Sequence, residues 1–331
     1  RRLSDMTLDR TRILGRFGGV AAILAVAAVR WWLRLEPVNS DDLALFEYAS
    51  DAAAGQHWLF TADPRPALGP DLLCLSCEDG GMSHQSLRLG LLPPALPIFA
   101  LFGRSALSYY LVPLLFSLLG VASVWWLARR NIGVGVAWAV AALHAIMPYE
   151  LMHAGRFFVD LPAAVCLLLA IAAVGDIEDR SSRALRGFAV GACLRGAYLL
   201  RSNAPVLLAP GFALLFLRKP QARPLLWTAA VVFVAGWLGE QLLFVSKGLG
   251  FGYRAGIVAR ALDNYAPFLP VYEPAEFLGR ELVFFWKALR GWPHGALACA
   301  FVCAGLLSQA WVVLRGRSEA LRLVATMGLA T

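Results

Sequence analysis

Two adjacent carboxylates, Asp41 and Asp42, open the stretch SDDLALFEYASDAAAGQHW, and a second polar group, His153, Arg156 and Asp160, lies in HAGRFFVDLP. Carboxylates gathered with basic groups in a half-dry site shift one another's pKa and can polarise or deprotonate a hydroxyl, the first step of a group transfer. Structural readings stand beside that one. Ser40 or Asp41 could cap the helix that follows, because a side-chain oxygen there accepts from free N–H groups of the first turn. Arg156 and Asp160, four apart, could pair along one helical face.

Two further charges, Arg195 and Glu240, fall inside apolar runs. An ionised group there is costly and marks either a site or a buried partner, and the two could pair with each other. Arg30, beside Trp31 and Trp32, reads as an interfacial anchor. CLSCEDGGMSH supplies Cys74, Cys77 and His84 but no second cysteine pair, which leaves a zinc site, a local disulfide and plain thiols all open. Cys166, Cys193, Cys299 and Cys303 sit in apolar runs as packing residues.

The elements that must position these groups follow from composition. The chain has 331 residues, 59% of them hydrophobic and 16% charged, with a mean hydropathy of +0.62. That is too little polar surface for a water-soluble globule of this size. Apolar stretches recur along the whole length, so a cleaved leader does not explain them. The expected fold is all-α, a polytopic transmembrane bundle forming a single domain over residues 1–331. The net charge of +8 is dispersed in twos and threes at the ends of apolar runs, which fits membrane orientation and not nucleic acid.

Apolar length and the cytoplasmic bias of Lys and Arg place spans at about 13–33, 106–128, 132–149, 159–176, 184–201, 204–217, 224–245 and 293–314. The final RLVATMGLAT is the start of a ninth, which predicts a chain that continues further. Residues 88–103 are short and carry Pro93, Pro94 and Pro97, so they are read as interfacial. Two long outer segments result, 35–105 and 246–291. The first carries an amphipathic helix with Leu43, Phe46, Ala49, Ala53 and Trp58 on its apolar face and Glu47, Ser50, Asp51 and Gln56 between them. The second holds LDNYAPFLPVYEPAEF, either an acceptor surface or an aromatic belt.

With these features in order, the sequence resembles the GT-C membrane glycosyltransferases, near the protein O-mannosyltransferases and the lipid A aminoarabinose transferases. SDDLALFEYASDAAAGQHW is similar to the acidic pair and interfacial helix that follow the family's first span. HQSLRLGLLPPALPIFALFG looks like its basic residue, prolines and second interfacial helix, RFFVDLP like its second outer-loop signature, and AYLLRSNAPVLLAP like the turn between its fifth and sixth spans. The likeness covers roughly residues 10–220. Asp42 stands where a glutamate is usual, and Arg201-Ser202-Asn203 where a lysine is commoner.

The resemblance implies a polyprenyl phosphate sugar donor, an acceptor glycan, lipid or protein, and transfer on the periplasmic or exterior side of a cell membrane. It makes Asp41 the leading base with Asp42 the close alternative, and Asp160 the second outer carboxylate, orienting the acceptor or a metal. Arg88 and Arg201 become candidates for the donor phosphate, with Arg195 added on its intramembrane charge. His153, Arg156 and Glu240 are candidates for substrate binding. No cofactor is required by the sequence, and a divalent metal stays an open alternative. A phosphate is already a good leaving group, so one carboxylate and a few cations suffice. The alternative is a transporter or flippase, which should show inverted repeats and broken helices; a non-catalytic scaffold would tolerate loss of both Asp41 and Asp42.

Overall fold

A computed structural model describes residues 22, 24–32, 40–54, 88–174, 182–246 and 250–255. The expected span at 293–314, most of the second outer segment, Trp58, Cys74, Cys77, His84, Cys299 and Cys303 lie outside them. The chain divides into two compact units, one drawn from Arg1–Leu59, Gln85–Ala173 and Cys193–Ala204, the other from Phe60–His84, Val174–Ala192 and Pro205–Thr331. Among the described residues all regular structure is helical, as expected of an all-α membrane bundle.

The first unit begins with a helical stretch at 24–32 and α1, Ser40–Ala53. Because α1 starts at Ser40, Ser40 and Asp41 occupy its first turn instead of preceding it, where negative charge is favoured by the free N–H groups. Its buried stripe differs from the expected one. Asp42, Leu45, Phe46 and Ala49 face inward, whereas Leu43 is 45% exposed and Ala53 is also exposed. Counting apolar residues misses this face because an aspartate is one of its members.

After a 3-10 turn at Leu89–Leu91, α2 runs Leu92–Phe102. Pro93 and Pro94 fall in its first turn, where no N–H is needed, and Pro97 costs one backbone bond. Eleven residues give about 16 Å, half a bilayer's hydrocarbon thickness. Gly103, with φ 62°, turns the chain into α3, Ala106–Asn131, whose N-cap Ser105 accepts from the Ser108 N–H at 3.3 Å.

At 26 residues α3 is about 39 Å long, enough to cross a membrane. Arg129 and Arg130 close its last turn, stacked on Trp125 and Trp126 at 5.1 and 5.5 Å. Gly133, at φ 127°, reverses the chain into α4, Val134–Ile146, which packs back on α3 with Trp138 5.3 Å from Trp125. A span had been expected over 132–149. Instead α4 stops three residues sooner, because Pro148 forces the residue before it, Met147, to an extended ψ of 134°. The short α5, Pro148–Ala154, then leads through a break to α6, Asp160–Val174.

α7, Arg183–Leu200, begins in the second unit and ends in the first. In the second unit its Gly187 and Gly191 meet the backbone of α9, Arg223–Ser246, which follows α8, Ala209–Arg218. A methyl group at Gly191 would stand 2.5 Å from Ala229 O and 2.8 Å from Val232 Cβ, and one at Gly187 2.7 Å from Leu225 O. Small residues four apart let helices approach this closely in lipid, where packing replaces the hydrophobic drive. The run Pro220–Ser246, like α3, is long and apolar enough to cross a bilayer. Its outer face carries Trp227, Val231 and Leu242, each more than 60% exposed, as a lipid-facing helix would.

Candidate active site

Four rings from four segments of the first unit pack together as an aromatic floor. Phe46 of α1 lies 5.3 Å from Phe99 of α2, 5.4 Å from Tyr109 of α3 and 5.7 Å from Phe157, which follows α5. Most of the pairs meet edge to face, the arrangement that ring quadrupoles favour. One turn of α1 before Phe46, Asp42 has no exposed surface. It and Arg156 are both electrostatic neighbours of Tyr109. Position 41 lies about 100° around the helix from position 42.

Arg156 and Asp160 do not share one helix. α5 ends at Ala154 and α6 starts at Asp160, and the Arg156 carbonyl accepts from the Phe158 N–H at 2.8 Å in the break. The expected pairing along a helical face is therefore replaced. The Asp160 carboxylate pairs with Arg201, with 15% and 49% of the side chains exposed. The local reason is that two helix ends meet there. Asp160 opens α6, where a negative charge is favoured, and Arg201 follows the last residue of α7, where a positive one is.

Arg88 belongs to the same place. Its Nη1 donates to the carbonyl of Leu200 at 2.8 Å, next in sequence to Arg201. The 3-10 turn behind Arg88 is pressed against α7, since a methyl at Gly90 would be 2.7 Å from Leu200 Cγ and 3.1 Å from Gly196 O. Thus Arg88, Asp160 and Arg201, far apart in sequence, gather at the end of α7.

His153 is buried, with its ring 6.0 Å from Phe158. Burial, then the neighbouring Arg156 charge, hold its pKa below the ordinary 6.5. A histidine kept neutral in the fold but free to charge when unfolded binds fewer protons in the native state. Its stabilising share is complete above pH 6.5 and erodes as pH falls below that value. His153→Gln should therefore lose less stability than the wild type between pH 7 and pH 5, read as the melting-temperature difference between the two proteins across that range.

Arg195 is 8% exposed and stacks over Tyr198 at 4.8 Å. Glu240 lies in the second unit, where its Oε1 accepts from Arg254 Nε at 2.9 Å. That partner was not singled out in the sequence, because Arg254 lies beyond the span in a loop rich in other charges. The turn carrying it is held twice more, by the Gln241 Oε1 accepting from the Gly252 N–H at 2.7 Å and by Phe244 against Tyr253 at 5.7 Å.

Arg30 corrects the expectation of an interfacial anchor. It is 5% exposed and donates to Ala145 O at 3.0 Å and Glu150 O at 3.2 Å, with the Glu150 carboxylate 3.4 Å away. Neighbouring Trp32, 86% exposed, keeps an outward position. Glu150 was legible only as an acid two residues after a proline. Tyr109 left no signal in the sequence. Among the described residues no three His, Cys, Asp or Glu side chains converge as a metal-binding group.

Helices long enough to cross a membrane, and acids and arginines gathered at helix ends, fit the resemblance to GT-C membrane glycosyltransferases drawn from the sequence. The family model described as dolichyl-phosphate-mannose-protein mannosyltransferase matches residues 96–239, and the resemblance to that class rests on this match. The matched stretch includes His153, Arg156, Asp160, Arg195 and Arg201 and stops short of Asp41, Asp42, Arg88 and Glu240. No curated protein and no solved structure matches the chain.

Proposed function

We propose that the chain is a multi-pass membrane enzyme that transfers a hexosyl or pentosyl group from a polyprenyl phosphate donor to a glycan, lipid or protein acceptor on the non-cytoplasmic side. The observation that supports this most is the gathering of Asp160, Arg201 and Arg88 at the meeting ends of α6 and α7. In the reaction the acceptor oxygen attacks the sugar C1 and the C1–O bond to phosphate breaks. The phosphate departs with the bonding pair, and the acceptor proton passes to a carboxylate.

Arg88 and Arg201, with Arg195 deeper along α7, serve the departing phosphate, a planar guanidinium being suited to its oxygens. Asp160 orients the acceptor. Asp41 is the leading base and Asp42 the close alternative; the complete burial of Asp42, an electrostatic neighbour of Tyr109, favours a fixing role for that residue. His153 and Arg156 are assigned to substrate contact, whereas Glu240 is held by Arg254 within the second unit.

The test is transfer of labelled sugar from a synthetic polyprenyl phosphate donor by the purified chain. Asp41→Asn is expected to lose about 100-fold or more in rate, the scale of a removed general base. Full activity in both Asp41→Asn and Asp42→Asn overturns the assignment. Donor movement across a vesicle bilayer without any transfer points to a flippase instead.

A further inference from the structure

The polar cluster behind the candidate site is absorbed by none of these roles. The Glu150 carboxylate, 2% exposed, accepts from Ser117 Oγ at 3.0 Å, lies 3.4 Å from Arg30 Nη2 and has His144 Nε2 3.7 Å from its other oxygen. Ser117 lies midway along α3, His144 in the last turn of α4 and Arg30 in the 24–32 helical stretch. Gly120 of α3 keeps the space open, since a methyl there would be 3.1 Å from Val165 Cγ2 and 3.9 Å from Glu150 Oε1.

α4 ends at Ile146 and α5 begins at Pro148, so the backbone ladder is interrupted at Met147, and carbonyls freed at such a break need partners. Arg30 supplies them by donating to the carbonyls of Ala145 and Glu150, one on each side of the break. A buried carboxylate is costly to keep without partners. Those of Glu150 are Arg30, Ser117 and His144, which stand on three helices.

We propose that Arg30, Ser117, His144 and Glu150 form a positioning device that fixes α5 and, through it, the segment bearing His153, Arg156 and Asp160. This rests on the glycosyl-transfer reading for its catalytic consequence and on the geometry alone for its mechanical one. Glu150 touches no reacting atom. It sets where the following ten residues stand.

The experiment compares the full-length wild type, Glu150→Gln and the milder Ser117→Ala in lipid nanodiscs, by hydrogen exchange of residues 151–160 and by donor kcat and KM. Glu150→Gln is expected to speed exchange in 151–160 at least 10-fold with α3 unchanged. It should lower kcat at least 10-fold with KM within twofold, and Ser117→Ala should follow in the same direction by two- to fivefold. Unchanged exchange at 151–160 in both variants overturns the proposal, as does acceleration spread equally over α3 in both, which marks a merely structural cluster. A fall in kcat without faster exchange also overturns it, by assigning Glu150 to the chemistry itself. If the wild type transfers no sugar, the glycosyl-transfer reading fails while the exchange comparison still decides the mechanical claim.

Discussion

Asp160→Asn is expected to lower sugar transfer about 100-fold or more while leaving the melting temperature within a few degrees of the wild type. Both halves of that expectation follow from where the residue sits. The Asp160–Arg201 pair is partly open to solvent, with the arginine 49% exposed. Pairs of that kind contribute roughly 0–1 kcal/mol to stability once solvent screening is counted. A 100-fold fall in rate corresponds to about 2.7 kcal/mol of barrier, more than the structural worth of the contact. Arg201→Lys separates the two roles further, since lysine keeps the charge but not the planar fork. It should recover whatever melting temperature Arg201→Ala loses without recovering the activity that Arg201→Ala loses. Wild-type rates in Asp160→Asn, measured with the labelled donor, would remove Asp160 from the site.

The second large effect is one of sign. Gly to Ala inside a helix ordinarily stabilises by about 1 kcal/mol, and Gly239 of α9, with open space around its Cβ position, should follow that rule. Gly191 should reverse it. A methyl there meets the Ala229 carbonyl at 2.5 Å, and a backbone oxygen yields only if the whole of α9 shifts. Overpacking of that kind costs roughly 1–3 kcal/mol, which outweighs the propensity gain. Gly191→Ala should lower the melting temperature, Gly191→Leu should lower it more, and Gly239→Ala should leave it level or raised. Equal effects at 191 and 239 would show that α7 and α9 do not approach as described.

How much of this was legible depends on which physical signal each residue leaves. Length, hydropathy and a terminal arginine pair suffice for α3, and prolines in a short apolar run suffice for α2. The same signals put helices within a residue or two of α6, α7 and α9. They fail at the α4 to α5 break, because hydropathy continues smoothly through Ala145 and Met147 while the backbone does not. They fail again on α1, whose buried face contains Asp42 and Ser50. The convergence of Asp160 with Arg201 and Arg88 is a property of helix ends meeting in space, to which spacing along the chain is blind. The family resemblance supplied those three positions where periodicity could not. Arg30 and Glu150 show the opposite limit, since an arginine beside two tryptophans has the pattern of an anchor whether it turns outward or in.

The aromatic floor has a consequence for the order in which the molecule is assembled. Its rings stand at positions 46, 99, 109 and 157, so the first waits for a partner 111 residues later in the chain. Contacts of such separation form late, after the local helices, because the loops they close must first be ordered. A nascent chain can therefore hold α1, α2 and most of α3 as finished helices while Asp42 still lacks the surroundings that bury it. The aromatic packing is complete only once Phe157 has arrived, and a chain interrupted before that residue carries Asp41 and Asp42 without it and lacks Asp160 and Arg201 altogether.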